Sequence, residues 1–118
     1  MFKGRISYPL HAALELITAV ALIAVPFALG MSFDATITAG VIGVVLFGLA
    51  ISATDSEGRG TIPVSAHAAY DAAVALVLVG AAVVFGIAGQ GTALAFLLAA
   101  GTAQLTLNAL TRYSPVRT

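Results

Sequence analysis

The chain has no cysteine and very little charge. Of its 118 residues, five are basic and five acidic, so 8% are charged, against about 25% in an ordinary soluble domain. The lack of cysteine excludes a disulfide scaffold. The shortage of charge excludes a water-soluble enzyme, which would expose large apolar patches and aggregate. A net charge of zero leaves no basic surface for nucleic acid, so no nucleic-acid partner is expected.

What the chain does have is apolar sequence. Hydrophobic residues make up 60% of it, too many for a disordered chain. Leu16 to Phe33 and Ala35 to Thr54 carry no charge, and neither does Ala72 to Thr111. A span needs about 20 mostly apolar residues to cross a hydrocarbon core of about 30 Å. The third run is too long for one span. Gly86, Gly89 and Gly91 break it near its middle, which predicts two helices joined by a tight turn. The runs are long, rich in alanine and leucine, and lack the alternation of a barrel strand. The expected fold is all-α membrane: a four-transmembrane-helix bundle in one domain, with spans near 7–30, 34–54, 64–87 and 91–112.

Three prolines bear on the helix ends. Pro9 lies in the first turn of span one, and Pro63 precedes span three; both positions tolerate proline. Pro26 lies inside span one and is expected to kink it or loosen its outer end. Lys3, Arg5 and Ala28-Leu29-Gly30 also resemble a cleaved signal peptide. The apolar stretch is too long for that, and Glu15 interrupts it early, so cleavage is not expected.

The basic residues set an orientation. Lys3 and Arg5 precede span one, Arg59 lies in the connection Thr54–Thr61, and Arg112 and Arg117 follow span four. The connections around Ser32-Phe33-Asp34 and Gly89-Gln90-Gly91 have no lysine or arginine. Basic residues stay inside, so both termini and the Thr54–Thr61 loop are expected on the cytoplasmic face of the membrane.

An offset of 56 residues aligns the chain on itself. His11-Ala12-Ala13-Leu14-Glu15 meets His67-Ala68-Ala69-Tyr70-Asp71, and Ile6, Leu22, Gly30, Thr36 and Leu49 meet identical residues. Histidine and acids are rare here, so the first match carries the weight. It predicts two tandem helical hairpins, 6–56 and 62–112, related by a pseudo-two-fold axis along the membrane normal. With Val25-Pro26-Phe27-Ala28-Leu29-Gly30 late in the first span, the chain resembles the small bacterial membrane proteins built from SPW repeats. Each such repeat is a pair of transmembrane helices. Val25 and Phe27 stand where that motif has serine and tryptophan, and the second unit has Ala81-Ala82-Val83 without proline. The resemblance implies this architecture in a bacterial inner membrane and no particular activity.

The residues that carry chemistry are few. His11 and Glu15 share one face of span one, and His67 and Asp71 repeat the spacing on span three. Gln104 and Asn108 lie at comparable depth on span four, in a stripe with Gly101 and Thr111, and the offset places Gly48 and Ser52 likewise on span two. Glu15 and Asp71 must pair or be protonated inside a span. Three readings follow: a hydrogen-bonded network holding the helices in register; a haem or transition-metal site using His11, His67, Glu15 and Asp71; or a proton-handling path. The outer half offers no polar continuation for a channel. Tyr8 and Tyr113 are expected to be interfacial anchors, and Tyr70 either an anchor or a donor to the His67 site. Gly40, Gly43 and Gly48 with Ala39, and Ala99 with Ala103, form small-residue faces for close helix approach or a homodimer contact. No nucleophile–base pair or cofactor loop is evident. The expected role is therefore structural or accessory, without catalysis, in contact with the lipid bilayer and a partner subunit or second copy.

Overall fold

A computed structural model describes residues 5–53 and 62–113. The expected Thr54–Thr61 loop, the repeat boundary near 56, and Lys3, Arg59 and Arg117 lie outside the described residues. Four helices follow in order: α1 (Tyr8–Leu29), α2 (Phe33–Ile51), α3 (Val64–Ile87) and α4 (Gly91–Leu110). They hold 22, 19, 24 and 20 residues, or about 29–36 Å at 1.5 Å per residue. All four are long and apolar enough to cross a bilayer.

Local chemistry sets the helix ends. The Ser7 hydroxyl accepts from the Leu10 amide at 3.3 Å, capping α1. α1 runs through Pro26 and ends where Gly30 turns left-handed at φ 63°. There the Met31 amide donates to the Pro26 carbonyl at 3.1 Å, so the last turn is closed by a C-terminal cap. Ser32 caps α2 through the Ala35 amide at 3.1 Å. The three-glycine break is a turn at Ala88–Gln90, with Gly89 at φ 84°.

Each helix buries a stripe at helical spacing. In α1 it is Tyr8, His11, Glu15, Ala19, Leu22 and Pro26. In α3 it includes His67, Asp71, Val74, Leu78 and Ala82, and in α4 Ala93, Leu97, Gly101, Gln104 and Leu107. The outward faces are as apolar as the inward ones: Phe27, Phe33 and Ile87 are 74%, 78% and 83% exposed. His11, Glu15, His67, Asp71 and Gln104 are meanwhile buried. Polar groups inside and large apolar side chains outside is the arrangement that lipid solvates and water does not.

Packing is concentrated within two hairpins, α1 on α2 and α3 on α4, with thinner contact between them. A Cβ at Gly43 would lie 2.8 Å from Ile23 Cγ1 and 2.9 Å from the Ala19 carbonyl oxygen. One at Gly101 would lie 2.9 Å from Val79 Cγ2 and 3.2 Å from the Val79 amide nitrogen. These glycines let the backbones of each hairpin approach. Gly40 and Gly48 have nothing within 4 Å, and Ala99 and Ala103 are exposed. The close approach in the second hairpin therefore runs through Gly101, because α4 turns the expected alanine face outward.

The hairpins are tied at both ends. At one end the Ser32 hydroxyl donates to Gln90 Oε1 at 2.6 Å, joining the two turns. At the other, the Ile6 amide donates to the Leu110 carbonyl at 2.9 Å and the Arg112 amide to the Ile6 carbonyl at 3.0 Å. α4 thus finishes beside the start of α1, at the end where His11 and His67 lie.

Candidate functional site

α1 and α3 start at the same end of the bundle and present their histidine–acid pairs to each other. His11, Glu15, His67 and Asp71 are each 0% exposed. Within each helix the partners four residues apart are close: His11 Nε2 lies 3.2 Å from Glu15 Oε2, and His67 Nε2 lies 3.2 Å from Asp71 Oδ2. The shorter contacts cross between helices. His11 Nε2 is 2.8 Å from Asp71 Oδ2, and His67 Nε2 is 2.9 Å from Glu15 Oε1. Each imidazole therefore touches both carboxylates, and the contacts of one hairpin mirror those of the other.

α4 supplies the surrounding shell. Gln104 Nε2 donates to Glu15 Oε2 and to Asn108 Oδ1, both at 3.0 Å. The Tyr113 hydroxyl donates to Asp71 Oδ2 at 2.7 Å and lies 2.9 Å from Asn108 Oδ1. The Thr111 hydroxyl donates to the Leu107 carbonyl at 2.6 Å. Its oxygen is therefore free to accept from His11 Nδ1, also 2.6 Å away. That bond assigns a proton to Nδ1 and aims Nε2 of His11 at the carboxylates.

The aromatic residues around the quartet differ from expectation. Tyr8 is 1% exposed and packs against both imidazoles, with ring centroids 6.2 Å from His11 and 5.3 Å from His67. Tyr113 stacks edgewise on His11 at 5.2 Å. Neither is an interfacial anchor. The extended segment after α4 folds back over the start of α1 through the Ile6–Arg112 pairing, which turns Tyr113 inward onto Asp71. Burial pushes the Tyr113 phenol well above its ordinary pKa, and its bond to the Asp71 carboxylate adds to the shift. Tyr70, 54% exposed, lines an apolar groove between α2 and α3 and not the quartet.

Of the expected cluster, His11, Glu15, His67, Asp71, Gln104 and Asn108 come together. Ser52 does not. Its hydroxyl donates to the Gly48 carbonyl of its own helix at 2.6 Å, and its side chain borders the same α2–α3 groove. Beyond the quartet the buried core is apolar, built from Ala19, Leu22, Leu46, Leu78, Ala82 and Leu97.

Fold and site together define an all-α, four-span polytopic chain with an enclosed histidine–carboxylate centre near one end. Comparison with protein-family models, curated proteins and solved structures finds no match.

Proposed function

We propose that this is a small polytopic inner-membrane protein with a structural or accessory role and no catalytic activity of its own. Its quartet acts as the pin that holds two hairpins together. The observation that carries this reading is the enclosure of all four titratable side chains, each bonded across the α1–α3 contact. Groups so enclosed are placed to hold helices rather than to meet a substrate. The thin packing between hairpins supports the same reading, because away from the quartet and its shell they are joined mainly by the ties at their two ends. The reciprocal contacts support two tandem repeats, in keeping with the SPW-like pattern. Arg5 and Arg112 lie at the quartet end, which supports placing that end in the cytoplasm. The outward apolar faces suit lipid and a partner membrane subunit or a second copy.

The test cuts the chain between Ala53 and Ile62 and co-expresses the halves with a tag on one. The halves are expected to co-purify in mild detergent. Removing one member of a buried charged pair costs about 3–5 kcal/mol, so Glu15→Gln or His67→Ala should abolish co-purification. The reciprocal exchange of Glu15→Asp with Asp71→Glu should retain it. Co-purification unaffected by either single change would overturn the pin.

A further inference from the structure

The protons of the quartet lead to an inference beyond its structural role. The Thr111 hydroxyl hydrogen is engaged by the Leu107 carbonyl, so His11 Nδ1 must be the donor in the 2.6 Å contact with Thr111. On a neutral imidazole, Nε2 then carries a lone pair. That lone pair faces carboxylate oxygens at 2.8 and 3.2 Å. Electron pairs so close need a positive charge between them. Two carboxylates buried together need two such charges. Two protons can supply them, and so can one divalent cation.

We propose that His11, Glu15, His67 and Asp71 form a binding site for one divalent first-row transition-metal ion. One ligand atom from each residue lies within 4.8 Å of the other three. Metal–ligand bonds of about 2.0–2.2 Å set tetrahedral edges of about 3.4 Å. The closest nitrogen–oxygen separations, 2.8–3.2 Å, fall below that edge and the widest lie above it. The widest separation, up to 4.8 Å, must close by up to about 1.4 Å to reach that edge, so an ion fits after side-chain shifts approaching an ångström. For three of the four ligands the outer shell is also that of a metal site, while His67 Nδ1 is buried without a hydrogen-bond partner. His11 gives its second nitrogen to Thr111, Gln104 holds Glu15, and Tyr113 holds Asp71. Asp71 Oδ1 is buried without a hydrogen-bond partner, a spare oxygen for the ion. Two imidazole nitrogens favour a first-row transition ion over Mg²⁺ or Ca²⁺, which prefer all-oxygen shells. The carboxylates select against haem, because Glu15 and Asp71 lie against both Nε2 atoms, in the space that a macrocycle would need.

The test uses the full chain in mild detergent, without a polyhistidine tag, stripped with chelator and titrated with Zn²⁺ or Co²⁺. The expected result is one ion per chain by elemental analysis and the intense visible bands of four-coordinate Co²⁺. Thr111→Val keeps all four ligands and should weaken affinity 10–100-fold. His67→Ala should abolish binding, and Tyr70→Phe should leave it unchanged. Far less than one ion per chain, a Co²⁺ spectrum of the hydrated ion, or binding indifferent to both Thr111→Val and His67→Ala would overturn the proposal. Running the split-chain experiment in chelator keeps the two readings separate, since the pin needs no metal.

Discussion

Tyr113 shows how little of a residue's role its position along the chain reveals. Three residues past α4, it sits where an anchoring tyrosine belongs, yet its hydroxyl reaches Asp71 at 2.7 Å. Its phenol is held protonated by burial and by that carboxylate. A pKa raised in the folded state means the fold binds this proton more tightly than the unfolded chain does. The stabilisation is complete below the ordinary tyrosine pKa of about 10 and is lost progressively as pH rises above it. Melting temperature should therefore fall above about pH 10 in the parent protein, and less steeply in Tyr113→Phe, as followed by circular dichroism in detergent. Equal slopes would show that Tyr113 does not govern the alkaline limb. The histidine–acid spacing was legible in the sequence because histidines and acids are so rare there. The crossed pairing was not, since four-residue spacing reports only neighbours on one helix. Which carboxylate comes closer depends on how α1 and α3 are rotated.

At the scale of elements, the spans could be read from apolar length, and their ends followed Ser7, Gly30, Ser32 and Gly89. Helix rotation could not be read in the same way. When every face is apolar, periodicity does not mark the inward one. The polar residues mark it on α1, α3 and α4, and α2 has none that points inward. The 56-residue offset alone therefore puts Ser52 with the cluster, whereas its hydroxyl bonds its own helix backbone. The small-residue faces had the same ambiguity, which the close contacts of Gly43 and Gly101 resolve. Gly43→Ala forces a methyl against the Ala19 carbonyl, and Gly101→Ala against the Val79 backbone. Overpacking of this kind costs about 1–3 kcal/mol. Gly40→Ala and Gly48→Ala meet open space and should gain up to about 1 kcal/mol from helix propensity. A thermal-melting series over these four variants should therefore split two and two. Uniform behaviour would contradict the close approach.

For the whole molecule, one end concentrates every feature of chemical interest among the described residues. The quartet, its shell from α4 and the Ile6–Arg112 pairing are all there, and the other end holds two turns tied by Ser32 and Gln90. The proposed orientation puts the quartet end in the cytoplasm. A chain without cysteine makes this easy to check by labelling one introduced thiol at a time in intact cells. Asp34→Cys in the first residues of α2 should react with an impermeant maleimide added outside, and Arg112→Cys only after the membrane is breached. The reverse pattern would invert the topology.

The reciprocity of the quartet has a consequence for how the protein is made. α1 and α2 leave the ribosome first. At that stage His11 and Glu15 have only each other, because the partners that complete their bonds are still unsynthesised on α3. An acid at mid-bilayer costs about 2.5–3.5 kcal/mol on insertion scales, and Glu15, seven residues into α1, lies nearer the surface than that. The first hairpin can therefore enter the membrane by itself, but with an unfinished polar edge. The second hairpin arrives with the matching edge, so the order of synthesis turns a liability of the first half into the means of recruiting the second.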